Sequence, residues 1–178
     1  FEIKRSKYQE INDYIDPNLM EENKNLTNDE LAEELDSIIK KNIKSMTPVN
    51  RKFASVFSGG IDSSLVSYYL NKNIPPDILI AVNHLGKDQI SNNLKEFEKI
   101  LNRKIEVINI DKEFYASKIK ECQQTLASPL LSHSVVGQMI LSSKVKELSC
   151  KVIFGGEGGD EVFGGYDAYS NEFNNNLK

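Results

Sequence analysis

Four short apolar runs punctuate the sequence, and every neighbouring pair is separated by helix-length stretches. The runs are "FASVF" (53–57), "DILIAV" (77–82), "KIEVINI" (104–110) and "KVIF" (151–154). Between them the spacing predicts a helix from about Asp62 to Asn71, then one over "KDQISNNLKEFEKILN" with Ile90, Leu94, Phe97 and Leu101 on one side. "DKEFYASKIKECQQTL" gives another helix and, after the break at Pro129, "SVVGQMILSSKVKELS" a fourth. Strands alternating with helices of this length imply a parallel sheet covered on both faces, with right-handed crossovers. The expected fold class is therefore α/β, a doubly wound parallel sheet with helices on both faces. Ligands of such sheets bind beyond the carboxyl ends of the strands, where strand order reverses. In the spatial order 3-2-1-4, the turns leaving the first and fourth strands would face each other across that point.

Upstream, "TNDELAEELDSIIKKNIKS" reads as a helix. Thr27 and Glu30 have capping-box spacing, and Leu31, Leu35, Ile38, Ile39 and Ile43 keep one apolar face. Residues 1–26 show no clear period and read as an N-terminal arm, with one domain over 27–178. At 39% hydrophobic and 27% charged, the chain is globular rather than disordered. A net charge of −4 leaves no basic excess to neutralise phosphates, which argues against a nucleic-acid or membrane surface. Cys122 and Cys150 lack CxxC spacing and read as buried reduced thiols. The longest apolar run, "ILIAV", is too short to span a bilayer, and "FEIKRSKYQE" is no signal peptide. The expected location is cytoplasmic. The chain has no initiating Met and is expected to be a piece of something longer.

Two glycine-rich turns follow predicted strands. In "FSGGIDSS" (57–64), Gly59 and Gly60 let an anion approach the backbone, Ser58, Ser63 and Ser64 carry hydroxyls, and the next helix aims its unpaired N–H groups at the same place. These are the parts of a phosphate cradle without the Lys of a Walker A loop. Asp62 would repel phosphate unless a hard divalent cation lay between them. Taken alone, a helix N-cap and a tight turn explain the same residues equally well. The second turn, "GGEGGDE" (155–161), offers Asp160 as another carboxylate for that cation. Gly155, Gly156, Gly158 and Gly159 would keep its backbone close to a bound nucleotide, and Glu157 could handle a proton.

"SGGIDSS" resembles the pyrophosphate loop of PP-loop ATP pyrophosphatases, and "GGEGGDEVFGGY" is similar to the SGEGSDEIFGGY-type motif of asparagine synthetases and the related β-lactam synthetases. The resemblance runs from about Asp29 to Tyr166. It implies an ATP-dependent amide ligase that activates a carboxylate, aspartate by default, as an acyl-adenylate with release of pyrophosphate. Ammonia or an amine then attacks, and AMP leaves. On the matching positions, Ser58, Gly59, Gly60, Ser63 and Ser64 would hold pyrophosphate. Phe57, Gly155 and Gly156 would contact adenosine, and Val82 the base. Asp62 and Asp160 would bind Mg2+, with Asp160 and Glu157 also serving catalysis. The implied partners are a small-molecule carboxylate, a nitrogen donor and a glutaminase domain or subunit.

Departures accompany the resemblance. Two motif serines are glycines here, Gly155 and Gly159, which removes hydroxyl contacts and leaves backbone contacts intact. "LASPLL" offers Ala127 and Ser128 where an acidic pair often stands. No glutaminase segment with a leading Cys is present, and Lys118, Lys120, Lys144 and Lys146 do not match the family's catalytic Lys, whose region would lie after Lys178. Two alternatives stay open: another PP-loop nucleotidyl-activating enzyme, such as a tRNA thiolase or NAD synthetase, and a catalytically incomplete nucleotide-binding module.

Overall fold

The computed structural model describes residues 14–84, 89–130, 132 and 134–166. The side chains of His84 and Ile90, His133 and the Asn-rich end lie outside the described residues. The chain divides into two compact units, residues 1–41 and 42–178.

In the first unit, α1 (Pro17–Asn23) interrupts what the sequence presents as an arm. Asp16 accepts the N–H of Asn18 at 2.9 Å and Pro17 opens the first turn, so local capping chemistry starts the helix. No residue of α1 is buried, which is why no apolar period announced it. Helix α2 (Asn28–Met46) begins with the expected capping box: Thr27 N–H donates to Glu30 Oε2 at 2.8 Å, and Glu30 N–H to Thr27 Oγ1 at 3.3 Å. Its apolar stripe is only partly covered. Ile43, already in the second unit, is buried, while Leu35 and Ile38 are exposed.

The second unit is built on β1 (Phe53–Phe57), β2 (Ile78–His84), β3 (Glu106–Ile110) and β4 (Val152–Phe154). All pairings are parallel and the order is β3-β2-β1-β4. Successive strand residues point to opposite faces, and both faces are covered at the central strands, while Val107 of β3 and Ile153 of β4 on the edge strands are exposed. On one side Phe57, Leu79 and Ala81 pack with Leu94, Phe97 and Leu101 of α4 (Gln89–Leu101), while Tyr68 of α3 (Ile61–Asn73) closes the edge. On the other, Ala54 and Ile80 meet Val145, and Ile110 meets Cys122, Val136 and Ile140, from α5 (Lys112–Leu126) and α6 (Ser134–Glu147). Both cysteines are free and buried. Ser55 and Ser67, both fully buried, share a hydrogen bond of 2.9 Å that ties β1 to α3. No described helix is long and apolar enough to cross a membrane.

The chain runs outward from β1 through β2 to β3, then returns to place β4 on the other side of β1. The reversal of strand order therefore falls between β1 and β4, whose carboxyl ends carry the two glycine-rich turns.

Candidate functional site

The first turn is shaped by two glycines and three serines. Gly59 has φ +87°, a region that residues with a Cβ rarely adopt, and Gly60 returns to extended backbone to cap α3 without a side-chain bond. Asp62 is thus not the N-cap. It sits inside the first turn of α3, so helix capping does not account for its carboxylate. Ser63 Oγ accepts the Ser58 N–H at 3.1 Å, lies 2.8 Å from Ser58 Oγ and donates to the Gly60 carbonyl at 3.2 Å. Ser64 Oγ donates to the same carbonyl at 2.6 Å. These hydroxyls brace the loop and leave the amide groups at the start of α3 as its outward donors.

The second turn lies directly on the first. A Cβ at Gly156 would stand 2.6 Å from Ser63 N and 2.8 Å from Asp62 Cβ. A Cβ at Gly159 would stand 2.6 Å from Cγ of Asp62. Side chains at either position would hold the turns apart; glycine lets them touch. Gly158, at φ +92°, then starts the short helix α7 (Gly159–Phe163).

The result is a cleft of about 280 Å³. Ser58, Gly60, Asp62 and Ser63 line it from the first turn, and Gly155, Gly156, Glu157, Gly158 and Asp160 from the second. The tertiary structure thus assembles most of the residues named from sequence. Others it holds elsewhere. The Phe57 ring is buried and stacked on Phe97, with centroids 4.7 Å apart at 12°, so only its main chain remains for a ligand. Val82 packs against the α5–α6 core. Gly59 and Ser64 are not among the lining residues.

Val56, Glu161 and Tyr166 also line the cleft and were not singled out from sequence. The left-handed Gly164 turns the chain back after α7, and Tyr166 Oη donates to Glu161 Oε1 at 2.6 Å. That bond is the main reason the Glu161 carboxyl lies below its ordinary value. A Glu and a Tyr five residues apart around a glycine pair were the available signal.

The cleft carries four carboxylates, Asp62, Glu157, Asp160 and Glu161, and no Lys or Arg among its described lining residues. Hard oxygen donors without a resident cation suit Mg2+. No group of three or more described His, Cys, Asp or Glu side chains is placed to hold a metal ion alone.

A family model described as asparagine synthase matches residues 30–178. The chain belongs to the asparagine synthase family. Both glycine-rich turns lie within the matched residues. "Amidase chyE" of Penicillium rubens is 28% identical over 152 residues, covering 74% of this chain and 21% of that protein. The asparagine synthase-like chain therefore spans about a fifth of the length of this curated relative. Among solved structures, NMN synthetase from Francisella tularensis aligns with a TM-score of 0.52 at 17% identity, over 75% of this chain and 58% of that one. An NH3-dependent NAD synthetase from Campylobacter jejuni, in complex with the nitrate ion, aligns with a TM-score of 0.48 at 19% identity, over 79% and 61%. The first likeness places the sheet among PP-loop α/β folds and bears on fold alone.

Proposed function

We propose that the cleft binds ATP with Mg2+ and that the chain is the carboxylate-activating part of an amide ligase. The observation that carries this reading is the main-chain contact of Gly156 with Ser63, which puts an amide-lined turn and a carboxylate-bearing turn into one cleft at the strand-order reversal.

A carboxylate oxygen of the substrate attacks the α-phosphorus of ATP and pyrophosphate leaves, giving a mixed anhydride with AMP. Ammonia or an amine attacks the acyl carbon, AMP departs, and the nitrogen gives up a proton. The N–H groups in the first turn of α3 would hold the departing pyrophosphate in a fixed orientation. Asp62 and Asp160 are the residues that would hold Mg2+, which when bound neutralises phosphate charge. Holding both reactants in line removes entropic cost that reaches about 7–11 kcal/mol in well-oriented cases. Glu157 takes the role of proton acceptor. Aspartate is the default acid and ammonia or an amine the nitrogen donor, which a glutaminase domain or subunit in the cytoplasm could supply. The Penicillium relative's designation as an amidase also points to the amide bond.

Titration calorimetry with ATP, with and without Mg2+, tests the first step. Mg2+-dependent binding lost in Asp62→Ala and Asp160→Ala supports it, and wild-type chain that binds no ATP refutes it. Pyrophosphate release with a panel of carboxylic acids, aspartate included, then identifies the substrate. A second reading, an ATP-binding module without turnover, draws on the lack of Lys or Arg among the described lining residues. ATP binding with no pyrophosphate release for any acid would select it.

A further inference from the structure

Three carboxylates of the cleft each rest on the bare Cα of a glycine. A Cβ at Gly159 would lie 2.6 Å from both Cγ and Oδ1 of Asp62 and 3.0 Å from its Cβ. A Cβ at Gly165 would overlap Oδ1 of Asp160, and one at Gly155 would overlap Oε2 of Glu157. None of the three has positive φ; among the described glycines that property belongs to Gly59, Gly158 and Gly164. Backbone conformation therefore does not require glycine at 155, 159 or 165. Space does at 159 and 165. Nearby glycines show that this is not general to the turns: nothing lies within 4 Å of a Cβ at Gly158, and at Gly60 the nearest atom is Ser58 Oγ at 3.5 Å.

We infer that Gly159 and Gly165 are positioning residues, whose missing side chains form the seats that hold the carboxylates of Asp62 and Asp160 in the cleft. The inference rests on the reading of those carboxylates as the working groups of the site. An Asp side chain has few staggered rotamers, so a methyl-sized obstacle at the seat moves its charge to a different well rather than by a small adjustment. Gly159 is the sharpest case. The similar motif has serine there, and the simple expectation is that glycine merely forfeits a hydroxyl contact. In this chain the Asp62 carboxylate occupies the volume a serine side chain would need. Restoring serine should therefore damage the site.

A double-mutant cycle on the full chain tests this, comparing wild type, Gly159→Ser, Asp62→Ala and the double variant by thermal midpoint without ligand and by ATP affinity in Mg2+. Gly159→Ser alone is expected to lower the midpoint and weaken ATP binding about tenfold or more, as for other groups that orient metal ligands. In the Asp62→Ala background, where ATP binding is already lost, the thermal midpoint closes the cycle, and Gly159→Ser should lower it by less than half of what it does in wild type, because the carboxyl it displaces is gone. An equal penalty in both backgrounds, or none in either, overturns the seat. Should wild-type chain bind no ATP, the nucleotide reading fails by itself, and the midpoint half of the cycle still decides whether Gly159 acts through Asp62. If Gly159→Ser does not fold, the same cycle on Gly165→Ala and Asp160→Ala carries the decision with identical criteria.

Discussion

Gly156→Ala should separate the two turns, and the size of the effect follows from the contact. The added Cβ would meet Ser63 N at 2.6 Å, whereas ordinary contact begins at 3.4 Å, so the turns must part by about 0.8 Å. The obstructing atoms include backbone on the opposite side, so no rotamer change can relieve them. Overpacking of this kind costs about 1–3 kcal/mol. In a chain of this length each kcal/mol lowers the melting midpoint by about 2–4 °C. Displacement of a site by about 1 Å can reduce turnover about 100-fold, so pyrophosphate release should fall far more than stability. Two neighbours serve as controls with different physics. Gly59→Ala meets no atom within 4 Å but must hold φ +87°, at a cost of roughly 1–2 kcal/mol. Gly60→Ala has an ordinary contact of 3.5 Å with Ser58 Oγ, and its stability should stay within about 0.5 kcal/mol of wild type. Thermal melts of the three variants rank them. A Gly156→Ala protein as stable as Gly60→Ala would mean the turns do not touch, and the shared cleft would go with that contact.

Phe97→Ala removes the ring stacked on Phe57 and should cost about 3–5 kcal/mol in denaturant unfolding; a loss under about 1 kcal/mol would contradict the core packing beneath the first turn. Ser67→Ala deprives buried Ser55 of its 2.9 Å partner and should cost about 1–3 kcal/mol, while changing both serines to Ala should cost less than twice that, since no hydroxyl is then stranded. Glu98 accepts the Ile105 N–H at 2.8 Å and pairs with Lys104 at 3.0 Å, and the backbone bond is the main cause of its lowered pKa. Because the folded pKa is depressed, its contribution is full above the ordinary glutamate range and disappears as pH falls through the folded value. The urea midpoint of wild type should exceed that of Glu98→Gln at neutral pH and converge on it in acid; a gap independent of pH would exclude the carboxylate's charge as the cause.

Local chemistry is what the sequence determined by itself. Short apolar runs between amphipathic stretches dictated a parallel sheet because strand and helix periods bury different faces. Thr27 and Glu30 capped α2 because both partners lie within one turn. The glycines and acids of the two turns were legible because phosphate, a hard cation and close backbone approach each demand particular residue types. Tertiary structure decided which of these residues share a space. It turned Phe57 into the core against Phe97, packed Val82 under α5 and α6, and brought Glu161 and Tyr166 to the cleft through the left-handed Gly164. It also gave Gly159 a reason that no spacing rule contains. Asp62 is 97 positions earlier in the chain. The vacancy that seats its carboxylate exists only once β4 has paired with β1 and laid one turn on the other, because excluded volume acts between atoms close in space and is blind to their separation along the chain.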